Sequence, residues 1–299
     1  MTEGPLLGRD VAVTSDNLWQ RRARRLQSDW REGQRLQPGL HRGQALASRL
    51  TLEDGAPPEL RNYMSAAAKR QVQKAVEDSH ASGALLSRPR LWVDLLSSQP
   101  QCFNLFGDLA EDTALATAVL RPLMPEVEHV DAVWFEFSPG RADYTRYTGS
   151  RSAFDVFVIA TGPKGRGFLG IEVKYAENMA VSAATDRGHR ALAEPTGVFI
   201  TERLDDLEQP PLQQLWLDHL LALRLRAVDA DEWDWGKFVV LYPSQNTACG
   251  DTIQRYQSCL AAGDTFATLT LERFMQALAQ AGLPSAAELQ RRYLGNPQN

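Results

Sequence analysis

Cysteine is scarce in this chain, and the cysteines present form no metal-binding or disulfide pattern. Cys102, Cys249 and Cys259 are odd in number and include no CxxC pair, which argues against both a disulfide framework and a zinc knuckle. Long apolar runs are also missing, since no stretch approaches the roughly eighteen residues of a membrane-spanning helix. Residues 1–13 lack a basic start followed by an apolar run. We therefore expect a cytoplasmic protein that makes no contact with a membrane.

The motifs of several common enzyme classes are absent as well. The sequence has no GxSxG and no GxGxxG, and the segment GPKGRG lacks the GxxxxGK[ST] spacing of a phosphate-binding loop. The five histidines show no HxxxH spacing. Serine hydrolase, dinucleotide-binding and histidine-zinc interpretations therefore have no support.

Lysine is the rare cation, and the basic residues are unevenly distributed. Only five of the 32 basic residues are lysines, so the position of each lysine is informative. The net charge of −5 disfavours a protein that coats nucleic acid, but residues 19–49 hold eight arginines against two acidic residues. We predict phosphate contacts from arginines of this segment and of the loop 138–153: Arg21, Arg22, Arg24, Arg25, Arg141, Arg146 and Arg151. A solvated loop and a helix that packs with a charged outer face are the alternatives.

The pattern of apolar residues predicts two regions. Before residue 98 the sequence favours helices at Ser15–Gln34 and Glu59–Ser79, so we predict a helical N-terminal region at 1–97. From residue 98 to 299 strands and helices alternate, which predicts an α/β fold: an α/β/α sandwich around a small mixed sheet.

The predicted elements of the second region are these. Strands are expected at Val130–Phe137, Phe154–Ala160, Phe168–Tyr175, Gly197–Ile200 and Phe238–Tyr242. Helices are expected at Glu111–Leu123, from Pro210 through Leu223, at Thr252–Ala262 and at Leu271–Ala281.

Three charged residues interrupt two of these strands. Glu172 and Lys174 lie two positions apart and so share one face of their strand, and Asp155 interrupts the apolar run FDVFVIA in the same way. Burying such charges without partners is costly. We therefore expect the three side chains to interact with one another or with a ligand.

The turn between the two strands determines how the charges face one another. With its tip at residues 163–164, Asp155 lies opposite Glu172, and with the tip one residue later Asp155 lies opposite Lys174. In either register all three share one face, on strands about 4.8 Å apart. The sequence thus predicts two carboxylates converging on one cation.

This arrangement suits Mg²⁺ and phosphodiester hydrolysis. Mg²⁺ prefers oxygen ligands and keeps several waters. It polarises a phosphoryl oxygen and lowers the pKa of a bound water, while an ammonium such as that of Lys174 offsets the charge that grows on the phosphate. A structural ion pair between Glu172 and Lys174 is the competing interpretation.

These residues resemble the catalytic motif of the PD-(D/E)XK restriction-endonuclease-like superfamily. Asp155, a hairpin turn and the ExK element at Glu172 and Lys174 carry the resemblance, and residues 98–246 look similar to a bacterial restriction-endonuclease subfamily. Phe154 stands where the family name has proline, which is not a ligand. The resemblance implies a restriction-endonuclease-like fold and a metal-dependent nuclease.

The resemblance also suggests further site residues and partners. A third acidic ligand is often present in this superfamily, for which Glu136 is the candidate. A polar residue of the following helix is also common, and Gln214 fits best, with Gln213 as the alternative. The implied cofactor is Mg²⁺, with Mn²⁺ as a substitute, and the implied substrate is double-stranded DNA cut by a homodimeric restriction or defence endonuclease. An RNA-directed nuclease and a non-catalytic binding module on the same fold are the alternatives.

Overall fold

A mixed sheet forms the centre of the molecule. The computed structural model describes residues 13–82, 86–141, 143–177, 179 and 187–296. Residues 1–12, which belong to the predicted N-terminal region, lie outside the described residues. The strands are β1 (Pro38–His41), β2 (Gln44–Leu50), β3 (His129–Phe137), β4 (Phe154–Gly162), β5 (Gly165–Val173), β6 (Trp235–Tyr242) and β7 (Phe266–Thr270). Five of them form one sheet in the order β3-β4-β5-β6-β7. The pairs among β3, β4 and β5 are antiparallel, and those among β5, β6 and β7 are parallel.

Helices cover both faces of this sheet. They are α1 (Leu18–Gly33), α2 (Leu52–Gly55), α3 (Ala66–Ser82), α4 (Arg90–Val93), α5 (Ser98–Glu111), α6 (Thr113–Leu120), α7 (Arg187–Ala193), α8 (Leu204–Leu207), α9 (Gln213–Val228), α10 (Thr247–Gln257), α11 (Leu271–Gln280) and α12 (Ala286–Tyr293). One apolar cluster joins the sheet to α5, α6, α11 and α12, and a second joins it to α9 and α10. The α/β/α sandwich around a mixed sheet is therefore confirmed.

Alternation along the central strands explains why both faces are covered. In β4 Val156 and Val158 belong to the first cluster, whereas Phe157 and Ile159 belong to the second. Such a strand is apolar at every position because each side of the sheet is buried. Charged residues in β4 and β5 are therefore exceptions that need partners.

The N-terminal region is less uniformly helical than predicted. The antiparallel hairpin of β1 and β2 was not predicted, and α3 begins at Ala66 and not at Glu59. Helix α1 begins after the cap residue Asn17, whose side chain accepts from the N–H of Gln20. The boundary between residues 97 and 98 stays a prediction.

One further prediction in the second region was wrong, and another had bounds that were too wide. Residues 197–200 form no strand, because Phe199 makes only an isolated bridge to Leu260. The predicted helix at Glu111–Leu123 is shorter and begins after Asp112, whose side chain caps α6 by accepting from the N–H of Leu115. Strand β7 was missed. In the described part of the chain no helix combines the length and the hydropathy needed to cross a bilayer.

Candidate active site

The turn between β4 and β5 decides between the two predicted registers. Gly162 pairs with Gly165, which puts residues 163–164 at the tip. The register runs without a shift along the hairpin, and one further step along it sets Asp155 opposite Glu172. The first register is therefore confirmed, and directly opposite residues share a face of the sheet.

Lys174, Glu172 and Gln214 form a closed ring of hydrogen bonds. Lys174 Nζ donates to Glu172 Oε1 over 2.8 Å and to Gln214 Oε1 over 2.9 Å. Gln214 Nε2 donates to the same Glu172 oxygen over 2.8 Å, whereas Gln213 Nε2 donates to the carbonyl of Glu208. The structure thus brings Gln214, and not Gln213, to the predicted pair.

The ring keeps the lysine charged although it is buried. Lys174 and Glu172 are each 6% exposed. Burial by itself lowers the pKa of Lys174, but the carboxylates of Glu172, Glu177 and Asp155 outweigh it, and the net shift raises the pKa. The site therefore holds a desolvated ammonium with two fixed acceptors.

Asp155 contributes a carboxyl group whose charge is disfavoured. Its Oδ2 accepts from the N–H of Val173 over 2.8 Å. Burial raises the pKa of Asp155 well above its usual value, and the carboxylates of Glu172 and Glu136 raise it further. Among the residues that the structure describes, neither Oδ1 of Asp155 nor Oε2 of Glu172 receives a hydrogen bond.

Glu136 reaches the same group of carboxylates from the end of β3. Its backbone adopts a positive φ of 51°, an uncommon conformation for a non-glycine residue, and the Arg141 guanidinium donates to its carbonyl over 2.8 Å. Gln99 Nε2 donates to its Oε1 over 2.9 Å. Burial raises the pKa of Glu136, the hydrogen bond from Gln99 lowers it, and the nearby Glu172 carboxylate raises it. The net result is a pKa of about 7.

The first turn of α5 supplies contacts that the sequence did not reveal. Gln99 holds Glu136, and the N–H of Ser98 donates to Glu177 Oε1 over 3.0 Å. The other oxygen of Glu177 accepts from the N–H of Tyr175 over 2.8 Å. Burial by itself raises the pKa of Glu177. Lys174 and these hydrogen bonds lower the pKa by more, so the net shift is downward. The available signal was the polar run SQPQ immediately before the mostly apolar CFNLFG.

Asp218 is a second residue that sequence reasoning missed. It lies one turn after Gln214 on α9 and is 6% exposed. Burial raises the pKa of Asp218 well above its usual value; Glu172 raises it further, whereas Lys174 and the Gln214 side chain lower it. An acidic residue within the apolar run LWLDHLL was the signal for it.

The strand that carries the lysine is fixed on both sides just beyond the site. The N–H of Lys174 donates to the carbonyl of Leu241 on β6 over 2.8 Å. The next carbonyl, that of Tyr175, accepts from Trp19 Nε1 of α1 over 2.6 Å and from Asn246 Nδ2 over 3.1 Å. Helix α1 therefore contacts the residue that follows Lys174.

Comparison with known proteins identifies the family to which this site belongs. The family model described as the PD-(D/E)XK nuclease superfamily matches residues 14–295, nearly the whole chain. The chain belongs to the PD-(D/E)XK nuclease superfamily. Among curated proteins and solved structures none matches it. Membership of this superfamily supports hydrolysis of phosphodiester bonds in nucleic acid.

PD-(D/E)XK nucleases generally use divalent metals, and the donor set here fits such an ion with few protein ligands. Within the described ranges no group of three or more carboxylate, imidazole or thiolate side chains is arranged to hold a metal. Asp155 and Glu172 nevertheless each offer an oxygen without a hydrogen-bond donor in the described residues. Two carboxylates suit Mg²⁺, which retains several waters.

The arginines of α1 are mostly committed to the protein itself. Arg24 is buried and binds Asp16 with Nε at 2.7 Å from Oδ2, so its guanidinium is engaged within the protein, and the predicted phosphate contact stays a prediction. Arg22 donates to the carbonyl of Leu294 over 3.2 Å. Arg21 and Arg25 are exposed, and a phosphate contact by them stays a prediction.

The arginines of the loop after β3 differ in their partners. Arg141 is bound to the backbone of Glu136, and Arg146 forms an ion pair with Asp229 at the end of α9. Arg151 is exposed and lies with its guanidinium carbon 5.5 Å from the ring centre of Tyr144. Their contact with nucleic acid stays a prediction.

Proposed function

We propose that this protein is a Mg²⁺-dependent endonuclease of the restriction or defence type that cleaves double-stranded DNA. Asp155 and Glu172 bind the ion, Glu136 is a third acidic group near them, and Lys174 and Gln214 complete the site. The single observation that carries the proposal is the ring of Lys174, Glu172 and Gln214 beside Asp155. This ring supports catalysis because it holds a desolvated ammonium close to Asp155 Oδ1 and Glu172 Oε2, two oxygens that accept no hydrogen bond from the described residues.

Each residue of the site has a distinct task in this proposal. A bound divalent ion supplies polarisation of a phosphoryl oxygen and activation of a water. Lys174 presents a permanent positive charge that stabilises the charge growing on the phosphate, since burial strengthens electrostatic interactions. Gln214 keeps the ammonium in place through its Oε1. Exposed arginines, Arg151 above all, bind the DNA backbone.

The test is cleavage of supercoiled plasmid, linear duplex DNA and structured RNA with Mg²⁺, Mn²⁺ or EDTA. We expect plasmid nicking and linearisation with Mg²⁺ or Mn²⁺ and none with EDTA. Cleavage should be lost in Asp155→Asn, Glu172→Gln and Lys174→Met. Cleavage of RNA alone would replace DNA as the substrate, and binding without cleavage across metals and substrates would identify a non-catalytic module.

Matched control variants separate the site from general effects of removing an ion pair. Lys237 of β6 pairs with Glu126, which lies in the turn before β3, and their side chains are 13% and 17% exposed. Lys237→Met and Glu126→Gln remove the same chemical groups away from the ring. If they abolish cleavage as fully as the site variants do, the ring has no special role and the proposal fails.

A further inference from the structure

The end of β5 extends past the backbone pairing of its hairpin. Backbone pairing between β4 and β5 runs as far as Val156 on β4. Beyond it, the N–H of Val173 donates to Asp155 Oδ2 and the N–H of Tyr175 donates to Glu177 Oε2, each over 2.8 Å. Side-chain carboxylates therefore take the place of partner-strand carbonyls on either side of the candidate lysine.

The other oxygen of Glu177 lies at the amino end of α5. Ser98 is the first residue of this helix, and its N–H donates to Glu177 Oε1 over 3.0 Å. The first N–H groups of a helix have no partner within the helix, and the cap residue Ser97 makes no side-chain cap bond. Negative charge is favourable at this end of a helix, and the exposed Arg90 guanidinium lies 3.5 Å from the same oxygen. Glu177 therefore caps α5 from a distant part of the chain.

The first turn of α5 also holds the third acidic group of the candidate site. Gln99 directly follows Ser98, and its Nε2 donates to Glu136 Oε1 over 2.9 Å. The carboxylate of Glu177 thus connects the peptide group that follows Lys174 to the turn that holds Glu136. These contacts of Glu177 are called the β5–α5 link below.

Glu177 differs from the two candidate metal ligands in how its oxygens are used. Both of its oxygens accept backbone N–H groups. Asp155 and Glu172 each keep one oxygen that accepts no hydrogen bond from the described residues. Those two carboxylates can bind an ion and keep their protein contacts, whereas Glu177 would have to give up part of the link. Its contacts therefore favour a role in holding the site together.

We propose that Glu177 is a positioning residue that joins the end of β5 to the first turn of α5 and so holds Lys174 and Glu136 in a fixed relation. A displacement of about 1 Å at a catalytic group can lower a rate about 10²-fold, so such a link affects the rate without touching the substrate. Only this effect on the rate rests on the proposed function, because the link itself is a property of the folded chain.

Two variants each weaken the link at one point. Glu177→Gln keeps the size of the side chain but has one acceptor oxygen, so its NH₂ faces one of the two N–H donors. Ser98→Pro deletes one of these donors, and proline suits the first position of a helix. The extended backbone of Ser97, with ψ 134°, also suits a residue before proline. In the Ser98→Pro background the oxygen of Glu177→Gln can accept from Tyr175 while its NH₂ faces no donor of the link.

The kinetic test measures plasmid cleavage with Mg²⁺ well below the unfolding temperature. Glu177→Gln should lower kcat about 10-fold, the value of one charge-assisted hydrogen bond, with little change in KM. Ser98→Pro should also lower kcat, and the double variant should lose no more than Glu177→Gln alone. An unchanged kcat in Glu177→Gln would mean that the link only stabilises the fold, and this result or additive losses would overturn the proposal.

Glu272 offers the matched control for this comparison. Its carboxylate also accepts a backbone N–H, that of Ser244, with distances of 3.2 Å and 3.1 Å to its two oxygens. Glu272→Gln should leave kcat unchanged, because this contact does not reach Lys174 or Glu136. A loss of kcat as large as that of Glu177→Gln would show that any such carboxylate has the same effect, and the proposal would fail.

Amide hydrogen exchange tests the link without nuclease activity. Glu177→Ala should raise the exchange rates of the Ser98 and Tyr175 amides together, about 10-fold each, whereas Glu272→Ala should affect the Ser244 amide. Ser98→Pro should raise exchange at Tyr175 although the substitution lies on α5. Unchanged exchange at Tyr175 in both variants overturns the link, while a wild-type chain that cleaves nothing but shows the coupled exchange overturns only the nuclease proposal.

Discussion

Two lysine–glutamate pairs beside the central sheet have different neighbours. Lys174 and Glu172 lie at the end of β5, and Lys237 of β6 pairs with Glu126. In the first pair the lysine has a second acceptor, Gln214, and further carboxyl groups lie nearby. In the second pair the remaining oxygen of Glu126 is buried without a partner in the described residues.

The comparison shows that an ion pair alone does not indicate catalysis. Both pairs unite a lysine with a glutamate in partly or fully buried surroundings, and an acidic-x-lysine triplet is a short pattern that arises by chance. What distinguishes the first pair is its surroundings: an amide that fixes the ammonium and carboxylates that raise its pKa. The following predictions test this difference, from the largest effect to the smallest.

The largest effect is expected from removing each lysine. Lys174→Met should lower kcat of DNA cleavage by about 10²–10³-fold, because a charge aimed at the transition state is lost. Lys237→Met should leave kcat close to that of wild type, because its pair with Glu126 lies outside the ring of Lys174, Glu172 and Gln214. Single-turnover cleavage rates at saturating Mg²⁺ measure both, and similar losses would erase the distinction between the pairs.

Metal binding should separate the carboxylates in the same way. With Mg²⁺ at about a hundred times its Kd, wild type should gain about 2.7 kcal/mol of unfolding free energy. Asp155→Asn should gain little, whereas Glu126→Gln should respond like wild type. Thermal unfolding with and without Mg²⁺ gives the result, and an unchanged metal response of Asp155→Asn would remove it from the metal site.

The pH dependence of stability should reveal Glu136. Its pKa is raised from 4.5 to about 7, so between these pH values the folded protein binds a proton that the unfolded chain has released. The free energy of unfolding without metal should therefore fall as pH rises through this window, by about 1–3 kcal/mol. Urea unfolding of wild type and Glu136→Gln from pH 4 to 8 measures it, and parallel curves for the two would contradict the raised pKa.

The smallest effect concerns the arginines of the loop after β3. Arg146 is neutralised by Asp229, whereas Arg151 has no acidic partner among the described residues. Arg151→Ala should reduce the slope of log Kd against log salt by about 1, and Arg146→Ala by less. DNA-binding isotherms at several salt concentrations, in Ca²⁺ to prevent cleavage, provide the slopes. A larger change for Arg146 would reverse this order.

The sequence was most informative where local geometry decides the structure. Alternation in β4 and β5 was enough to put Asp155, Glu172 and Lys174 on one face, because strand periodicity is strict. It left two registers open, and the pairing of Gly162 with Gly165 selected the one with Asp155 opposite Glu172. The family resemblance predicted Gln214 as a site residue, and in the structure its side chain accepts a hydrogen bond from Lys174.

What could not be predicted depends on contacts distant in sequence. Glu136 has a positive φ and accepts a hydrogen bond from Gln99, which lies on α5 beside β3. No pattern in the sequence near Glu136 predicts either feature. Asp218 was not predicted as a residue near the site, because the apolar residues around it in α9 indicate a helix that packs in the core. Among the described residues the short strand β7 pairs with β6 alone, so it is recognised only once the sheet has formed.

The hydrogen bond from Trp19 to the Tyr175 carbonyl means that α1 supports the end of the sheet that carries Lys174. A shortened chain beginning at residue 98 would keep every proposed catalytic side chain yet leave that carbonyl with Asn246 as its remaining side-chain donor. Trimming this protein to a minimal nuclease would thus loosen the lysine-bearing strand at its next peptide group, although no residue of the reaction itself had been removed.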